Sequence, residues 1–250
     1  MTRLVSCCAL VLALSACDGS PQPSGARDAT FTLMQMNLCL SGLAGCYDPA
    51  VVDEAVDRIR ATHPDAVTFN EACRKDVRRI ARRTGYHVRF ARVVYRDVRL
   101  ACVNPGDRGL FGNAVLTKAA ITSTESHDFR AQAGPERRRW LCVSTRVDID
   151  VCTAHLNTRS PVEIAGNEAQ CDELAALLER RAVIFGGDVN RRRPCAPKGM
   201  WVRTDRAADQ AAGLQHVYGS RAFRSPSAHV EPATHTDHDV LVVRAHLRAP

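Results

Sequence analysis

Five apolar segments of this chain end in a polar or ionisable residue followed by a loop: Asn37, Glu71, His155, Asp188 with Asn190, and Asp237-His238. A strand interior cannot hold an unpaired charge cheaply, because burial strips the group of water. Strand ends at one rim of a sheet can hold it, and ligand sites gather there. The pattern therefore calls for a sheet protein whose strand ends converge on one polar rim.

The segments support that reading. FTLMQMNLCL (31–40) and DAVTFNEA (65–72) are apolar and nearly continuous, as buried strands are. Between them, 48–63 places Val51, Val52, Ala55, Val56 and Ile59 on one helical face, with Asp48 as cap and Pro49 in the first turn. Residues 73–86 form a basic amphipathic helix with Val77, Ile80 and Ala81 inward and Gly85 as its stop. Strands and hairpins follow over 87–95, 112–129 and 137–158. A helix follows over 162–181, a short buried strand over 182–190, a loop over 191–213, and final strands over 214–223 and 239–247. This order is α/β with substantial antiparallel sheet. At 250 residues, with 45% hydrophobic and 24% charged side chains, the chain suits a single large domain over 29–250. No apolar run reaches the roughly 20 residues that a membrane-spanning helix needs.

The first residues read as an export signal. Arg3 precedes an apolar run, Leu4–Leu14, of secretory length. Leu14-Ser15-Ala16-Cys17 resembles the bacterial lipobox, which implies a signal peptide over 1–16, lipidation of Cys17 and a tether over 17–28 rich in Gly, Pro and Ser. The expectation is an exported protein, a cell-surface lipoprotein or extracellular, touching the membrane through its lipid only. Eight cysteines remain beyond Cys17, an even count with no CxxC pair, which favours disulfides over zinc. Many connectivities are open; the local one is Cys39–Cys46, Cys73–Cys102, Cys142–Cys152 and Cys171–Cys195.

Taken singly, each polar strand end has a bland reading. Asn37 and Asn70 can bond a turn, Glu71 can favour a helix N-terminus, Asp188 can make an Asx turn, and His155 can be a satisfied half-buried histidine. Together they match a family. Met36-Asn37, Asn70-Glu71, Gly112-Asn113-Ala114, Thr153-Ala154-His155-Leu156-Asn157, Gly186-Gly187-Asp188-Val189-Asn190 and Thr236-Asp237-His238-Asp239-Val240 stand in the order of the endonuclease/exonuclease/phosphatase superfamily. The chain resembles its DNase I-like metal-dependent phosphoesterases over nearly all of 31–247.

The resemblance implies a four-layer α/β sandwich of two mixed sheets flanked by helices, and Mg²⁺-dependent phosphoester hydrolysis, with Mn²⁺ or Ca²⁺ as alternatives. It implies Glu71 as main metal ligand, supported by Asn37 and Asp237. Asp188 and His238 would activate water, Asn190 would hold a phosphate oxygen, and His155 would act on the leaving group. Asn113 and the triplet Arg191, Arg192 and Arg193 would bind phosphate or substrate. The residue types suit the chemistry: Mg²⁺ prefers oxygen ligands, and a histidine near neutral pKa passes protons both ways. Two departures stand out. The family's His-orienting Asp is replaced in the stretch Leu214–Tyr218, where His216 or Gln215 stands instead. Cys39 occupies a position that is acidic in exonuclease III-type enzymes.

The substrate classes are three. A net charge of +7, His155 and the arginine triplet favour a nuclease acting without sequence preference on DNA or RNA, as a monomer. The bias carries modest weight, because only three of the 34 basic residues are lysines, as a codon habit also produces. Aromatic residues are 5%, too sparse for stacking-driven recognition. A sphingomyelinase-type lipid phosphodiesterase or a phosphatase would use the same residues, and the lipid enzyme would add an exposed apolar hairpin. A catalytically degenerate binding module is the third.

Overall fold

A computed structural model describes residues 29–179 and 182–248. The expected signal peptide, Cys17 and the tether lie outside the described residues. The chain opens with β1 (Thr30–Asn37), α1 (Val51–Thr62), β2 (Ala66–Cys73), α2 (Arg74–Thr84), β3 (His87–Arg92), β4 (Val94–Tyr95) and β5 (Val98–Arg99). It continues with β6 (Phe111–Thr117), β7 (Ile121–Asp128), β8 (Glu136–Arg137), β9 (Arg139–Thr145), β10 (Asp150–Ala154) and α3 (Ile164–Glu179). It ends with β11 (Val183–Asp188), β12 (Trp201–Thr204), β13 (Gln215–Gly219), β14 (Phe223–Glu231) and β15 (Val240–Leu247).

Two six-stranded mixed sheets result, ordered β14-β15-β1-β2-β6-β3 and β12-β13-β11-β10-β9-β7, with a small β5-β4-β8 sheet beside them. Strand alternation builds the layers. On β1, Met34 and Met36 join Val56, Ile59 and Ile80 in a core under α1 and α2, while Leu33 joins Val143, Val151, Ile184 and Val217 between the sheets. On β11, Phe185 faces Leu174 and Leu178 of α3. The order is helices, sheet, sheet, helix: the four-layer α/β sandwich that the resemblance implies.

The helices follow their apolar faces. Val51, Val52, Ala55, Val56 and Ile59 are buried on α1. The helix begins three residues after Asp48, however, so Asp48 caps nothing; its carboxylate accepts the Ala50 N–H at 2.9 Å in the preceding turn. Gly85 closes α2 in a left-handed conformation with φ 80°. The short β5 was not expected, and two longer strands also fall outside the expected ones. β12 lies inside the expected loop over 191–213, and β14 is a sheet edge broken by a bulge between Arg224 and Ser227. The four disulfides are the local ones: Cys39–Cys46, Cys73–Cys102, Cys142–Cys152 and Cys171–Cys195. Cys142 and Cys152 sit directly opposite each other on β9 and β10.

Parallel pairing explains how the polar ends converge. β1 and β2 are parallel, so Asn37 lies opposite Asn70. β10 and β11 are parallel, and His155 bridges to Asp188 just beyond the ladder. β15 runs antiparallel to β1, which brings the turn before it to the same rim, where Thr236 Oγ1 donates to the Asn37 carbonyl at 2.8 Å.

The two sheets approach closely behind that rim because Gly186 has no side chain. A Cβ there would overlap Thr68 Oγ1 and lie 2.8 Å from Leu33 Cδ2. Gly186→Ala is expected to cost about 1–3 kcal/mol, the usual penalty of overpacking, read as a shift in urea midpoint at unchanged slope.

Candidate active site

The site is built between the two sheets from residues that point inward. Asn70, fully buried on β2, is its hub. Its Oδ1 accepts from the Asp188 N–H at 2.7 Å and from Gln35 Nε2 at 2.8 Å. Its Nδ2 donates to Asn113 Oδ1 and to the Ala154 carbonyl, both at 3.1 Å. One amide therefore ties β1, β2, β6, β10 and β11 together. The local reading of Asn70, a turn-bonding side chain, missed this, because the partners come from strands distant in sequence. Asn113 spends its own Nδ2 on the Arg139 carbonyl at 3.2 Å, so it braces the site from β6.

Glu71 follows in a left-handed backbone conformation, φ 52°, where β2 slips register against β6 between Phe69 and Ala72. Such a conformation costs a non-glycine residue of order 1–3 kcal/mol and marks a position over-determined by its surroundings. Asn37 Nδ2 donates to Glu71 Oε1 at 3.0 Å and to Asp188 Oδ2 at 3.1 Å, holding the two carboxylates side by side. The Asn37 side-chain Oδ1 accepts the Cys39 N–H at 3.1 Å. Burial pushes the Glu71 carboxyl up to about 7; the Asn37 bond opposes this and the Asp188 charge adds to it.

Asp188 is buried and sits between two histidines. His238 Nε2 is 3.5 Å from its Oδ2, and His155 Nε2 is 3.8 Å from the same oxygen and 4.0 Å from Glu71 Oε1. Its Oδ1 accepts the Asn190 N–H at 2.9 Å. Asn190 Nδ2 donates to the Leu156 carbonyl at 2.9 Å and contacts His155 Nε2 at 2.9 Å. With both amide hydrogens used, His155 Nε2 is the acceptor and the ring is neutral. Burial holds its pKa well below the ordinary value, and the Arg138 and His238 charges push the same way. Asn190 can therefore donate to a phosphate oxygen only by exchanging one of these bonds.

The question raised by Leu214–Tyr218 is settled by alternation along β13. His216 points away from the site: its Nδ1 meets Tyr218 Oη at 2.6 Å and its Nε2 meets the Gly213 carbonyl at 3.1 Å. Burial there pushes its pKa down to about 4. Gln215 points inward but bonds the Asp239 carbonyl at 2.6 Å and Asp205 Oδ2 at 3.3 Å. Neither orients His238, whose Nδ1 is buried with no partner among the described residues.

Other expected members stand apart. Asp237 is exposed, and its carboxylate lies near Cys39 and Cys46, whose sulfurs are bonded to each other and cannot ligate. No hydrogen bond among the described residues joins Asp237 to Glu71 or Asn37. The arginine triplet splits: Arg192 and Arg193 are exposed, but Arg191 is buried with Nη1 on Asn167 Oδ1 at 3.3 Å. Conversely, Arg138 was not singled out and is buried at the site. It pairs with Glu136 Oε1 at 2.8 Å, has an unpartnered Nε, and draws the Glu71 carboxyl down against its burial. The run Arg137-Arg138-Arg139 was the signal; Arg138, in the break between β8 and β9, is the one that is buried.

The donor set fits a hard divalent cation. Two carboxylates face each other across a neutral amide, and the burial that raises Glu71 is what a bound cation would offset. Glu71 would hold the ion, with Asp188 beside it.

The comparisons with known proteins agree with this geometry. The family model described as "Endonuclease/Exonuclease/phosphatase family" matches residues 34–238. No curated protein matches the chain as a sequence. Among solved structures, an endonuclease/exonuclease/phosphatase from Beutenbergia cavernae is 20% identical with a TM-score of 0.69, over 88% of this chain and 72% of that one. The human Nocturnin catalytic domain is 16% identical with a TM-score of 0.65, over 92% and 100%. TDP2 of D. rerio, in complex with a single-strand DNA product, is 14% identical with a TM-score of 0.58, over 88% and 100%. Motif order, fold and family model thus converge: the chain belongs to the endonuclease/exonuclease/phosphatase family of phosphoester hydrolases.

Proposed function

We propose that this protein is an exported, Mg²⁺-dependent phosphodiesterase that cuts nucleic acid. The observation that carries the reading is a buried carboxylate, Asp188, within 3.5 and 3.8 Å of two histidines and sharing Asn37 with Glu71. Asp188 takes a proton from the water that attacks phosphorus, and His238 Nε2 beside it accepts or returns that proton as the phosphorus–oxygen bond to the leaving group breaks. His155, held neutral by burial, accepts from Asn190 through Nε2 and so positions Asn190 beside Asp188; it reaches a phosphate oxygen or the leaving group only when that bond is exchanged. Arg138 adds a fixed positive charge at low solvent exposure, which opposes the charge developing on phosphate. Mg²⁺ held through Glu71 would supply charge neutralisation of the phosphate and leaving oxygens.

Nucleic acid is favoured over lipid by the positive charge and the exposed Arg192 and Arg193. A structural neighbour, D. rerio TDP2, is seen with a single-strand DNA product. The exposed large apolar side chains among the described residues, Leu43, Val98, Val147, Val162 and Ile164, are aliphatic and spread over separate segments, unlike a membrane-inserting hairpin. Export and lipidation at Cys17 rest on the leader and lipobox, and Mg²⁺ on its match to oxygen donors.

The test is a substrate panel on the oxidatively folded protein: supercoiled plasmid, single-stranded RNA, sphingomyelin vesicles and p-nitrophenyl phosphate, each with Mg²⁺ or EDTA. Plasmid nicking or RNA cleavage that EDTA abolishes is the expected result. Phosphocholine release with plasmid and RNA intact would overturn it in favour of the lipid branch.

A further inference from the structure

The basic helix α2 has no part in the site described above, yet its exposed face is rich in arginine. Where it meets the edge strand β3, the two elements enclose a cleft of about 360 Å³. Five arginines line it: Arg74 and Arg78 from α2, Arg89 and Arg92 from β3, and Arg99 from β5, with no carboxylate among the lining residues. Arg78, Arg89, Arg92 and Arg99 are exposed, Arg89 with its Nε donating to Thr124 Oγ1 at 3.0 Å, and Arg74 Nε is buried with no hydrogen-bond partner among the described residues. The acidic residue of α2, Asp76, is turned to the other side, where Arg108 Nη1 holds it at 3.2 Å. Arginines gathered around one cleft with no carboxylate in its lining repel one another, and an anion with several charges relieves that repulsion.

The cleft's rim-side residues neighbour the catalytic rim in the sheet. Arg92 lies opposite Gly112, and Gly112 lies opposite Ala72, the neighbour of Glu71. Arg74, the first residue of α2, follows Glu71 by three residues at the end of β2. Arg89 lies three residues along β3 from Arg92, roughly 10 Å down the sheet edge at strand spacing. A duplex strand carries a phosphate about every 3.4 Å of axis, so that length faces about three phosphates.

We infer that this cleft is a phosphate-backbone exosite, which holds the strand of nucleic acid leading away from the catalytic centre. The inference rests on the nuclease reading for its ligand but not on any catalytic residue. It assigns α2 and β3 a role in holding polymer, so that long substrates bind through contacts that short ones cannot make.

The test compares wild type with a variant carrying Arg78→Gln, Arg89→Gln, Arg92→Gln and Arg99→Gln, and with the same four changed to Lys. Binding of a fluorescein-labelled single-stranded oligonucleotide is measured in EDTA from low to high salt, and cleavage is measured with Mg²⁺. The glutamine variant is expected to lose about 2 from the slope of log affinity on log salt, at about 0.7 per phosphate contact on a single strand. Its KM for polynucleotide rises about tenfold, whereas hydrolysis of bis-p-nitrophenyl phosphate is unchanged and the lysine variant keeps the slope. A glutamine variant that cuts polynucleotide with the wild-type slope overturns the exosite and leaves the nuclease reading intact. A wild type that cuts no polynucleotide, yet binds the oligonucleotide through these arginines, supports the exosite and refutes the nuclease reading. Arginine-dependent binding to phosphatidylglycerol vesicles with none to oligonucleotide overturns the exosite in favour of a membrane-facing surface.

Discussion

Asp188→Asn is expected to lower Mg²⁺-dependent nucleic-acid cleavage by about 10²–10⁴-fold, the range of a lost general base, with the fold retained at a stability cost of about 1–3 kcal/mol. The substitution is nearly isosteric. The Oδ1 that accepts the Asn190 N–H at 2.9 Å survives as an amide oxygen, so the turn after β11 keeps its bond. What changes is Oδ2, the atom near both His238 and His155. An amide nitrogen there cannot take a proton from water, and it faces the Asn37 amide nitrogen at 3.1 Å, donor against donor. His238→Ala is expected to lose a similar factor. The double variant should lose little more than either single one, because groups acting as a unit are not additive. The measurement is single-turnover plasmid nicking alongside a thermal melt. Full activity in either single variant would remove Asp188 and His238 from the mechanism.

The second large effect is on stability and its pH dependence. In the metal-free protein the Glu71 carboxyl is raised from 4.5 to about 7 by burial. The folded state therefore binds this proton more tightly than the unfolded state, and over the window from about 4.5 to 7 stability falls as pH rises. His155 and His216, pushed down by burial, act in the opposite sense: their contribution is lost as pH falls below their ordinary value of 6.5. The wild-type profile mixes these trends, so the informative quantity is a difference. Glu71→Gln is expected to stabilise the metal-free protein by about 3–4 kcal/mol above pH 7, at about 1.4 kcal/mol per pKa unit, and by little at pH 4.5. Mg²⁺ is expected to stabilise wild type above pH 7 and to leave the variant unmoved. Urea titrations in EDTA and in Mg²⁺ at both pH values decide this. Parallel profiles for the two proteins would show that Glu71 neither carries a buried charge nor holds the ion.

These expectations depend on parts of the molecule that were unequally legible. The helical face of Val51, Val52, Ala55, Val56 and Ile59 and the apolar runs that became β1, β2 and β11 were plain, because burial imposes a period that side chains must obey. β14 was not, because its polar, proline-bearing sequence follows from its place at a sheet edge, where one side needs no partner. The polar strand ends announced Asn37, Glu71, His155, Asp188 and His238 as a group. They gave no sign that the exposed Asp237 carboxylate would lie near the Cys39–Cys46 bond, since neighbours in a turn can point in different directions at no cost in spacing.

The sequence by itself determined the order of the helices and buried strands and the residue types at the rim, properties set by periodicity and by neighbours along the chain. Only the tertiary structure decided that Asn70 would bind five strands together, that Gln215 would face inward and His216 outward, and that Arg138 alone of its triplet would reach the site. The physical reason is the same in each case. A buried amide or charge is stable only where groups from distant strands meet its hydrogen bonds and its field, and those groups come together only when the two sheets close on each other.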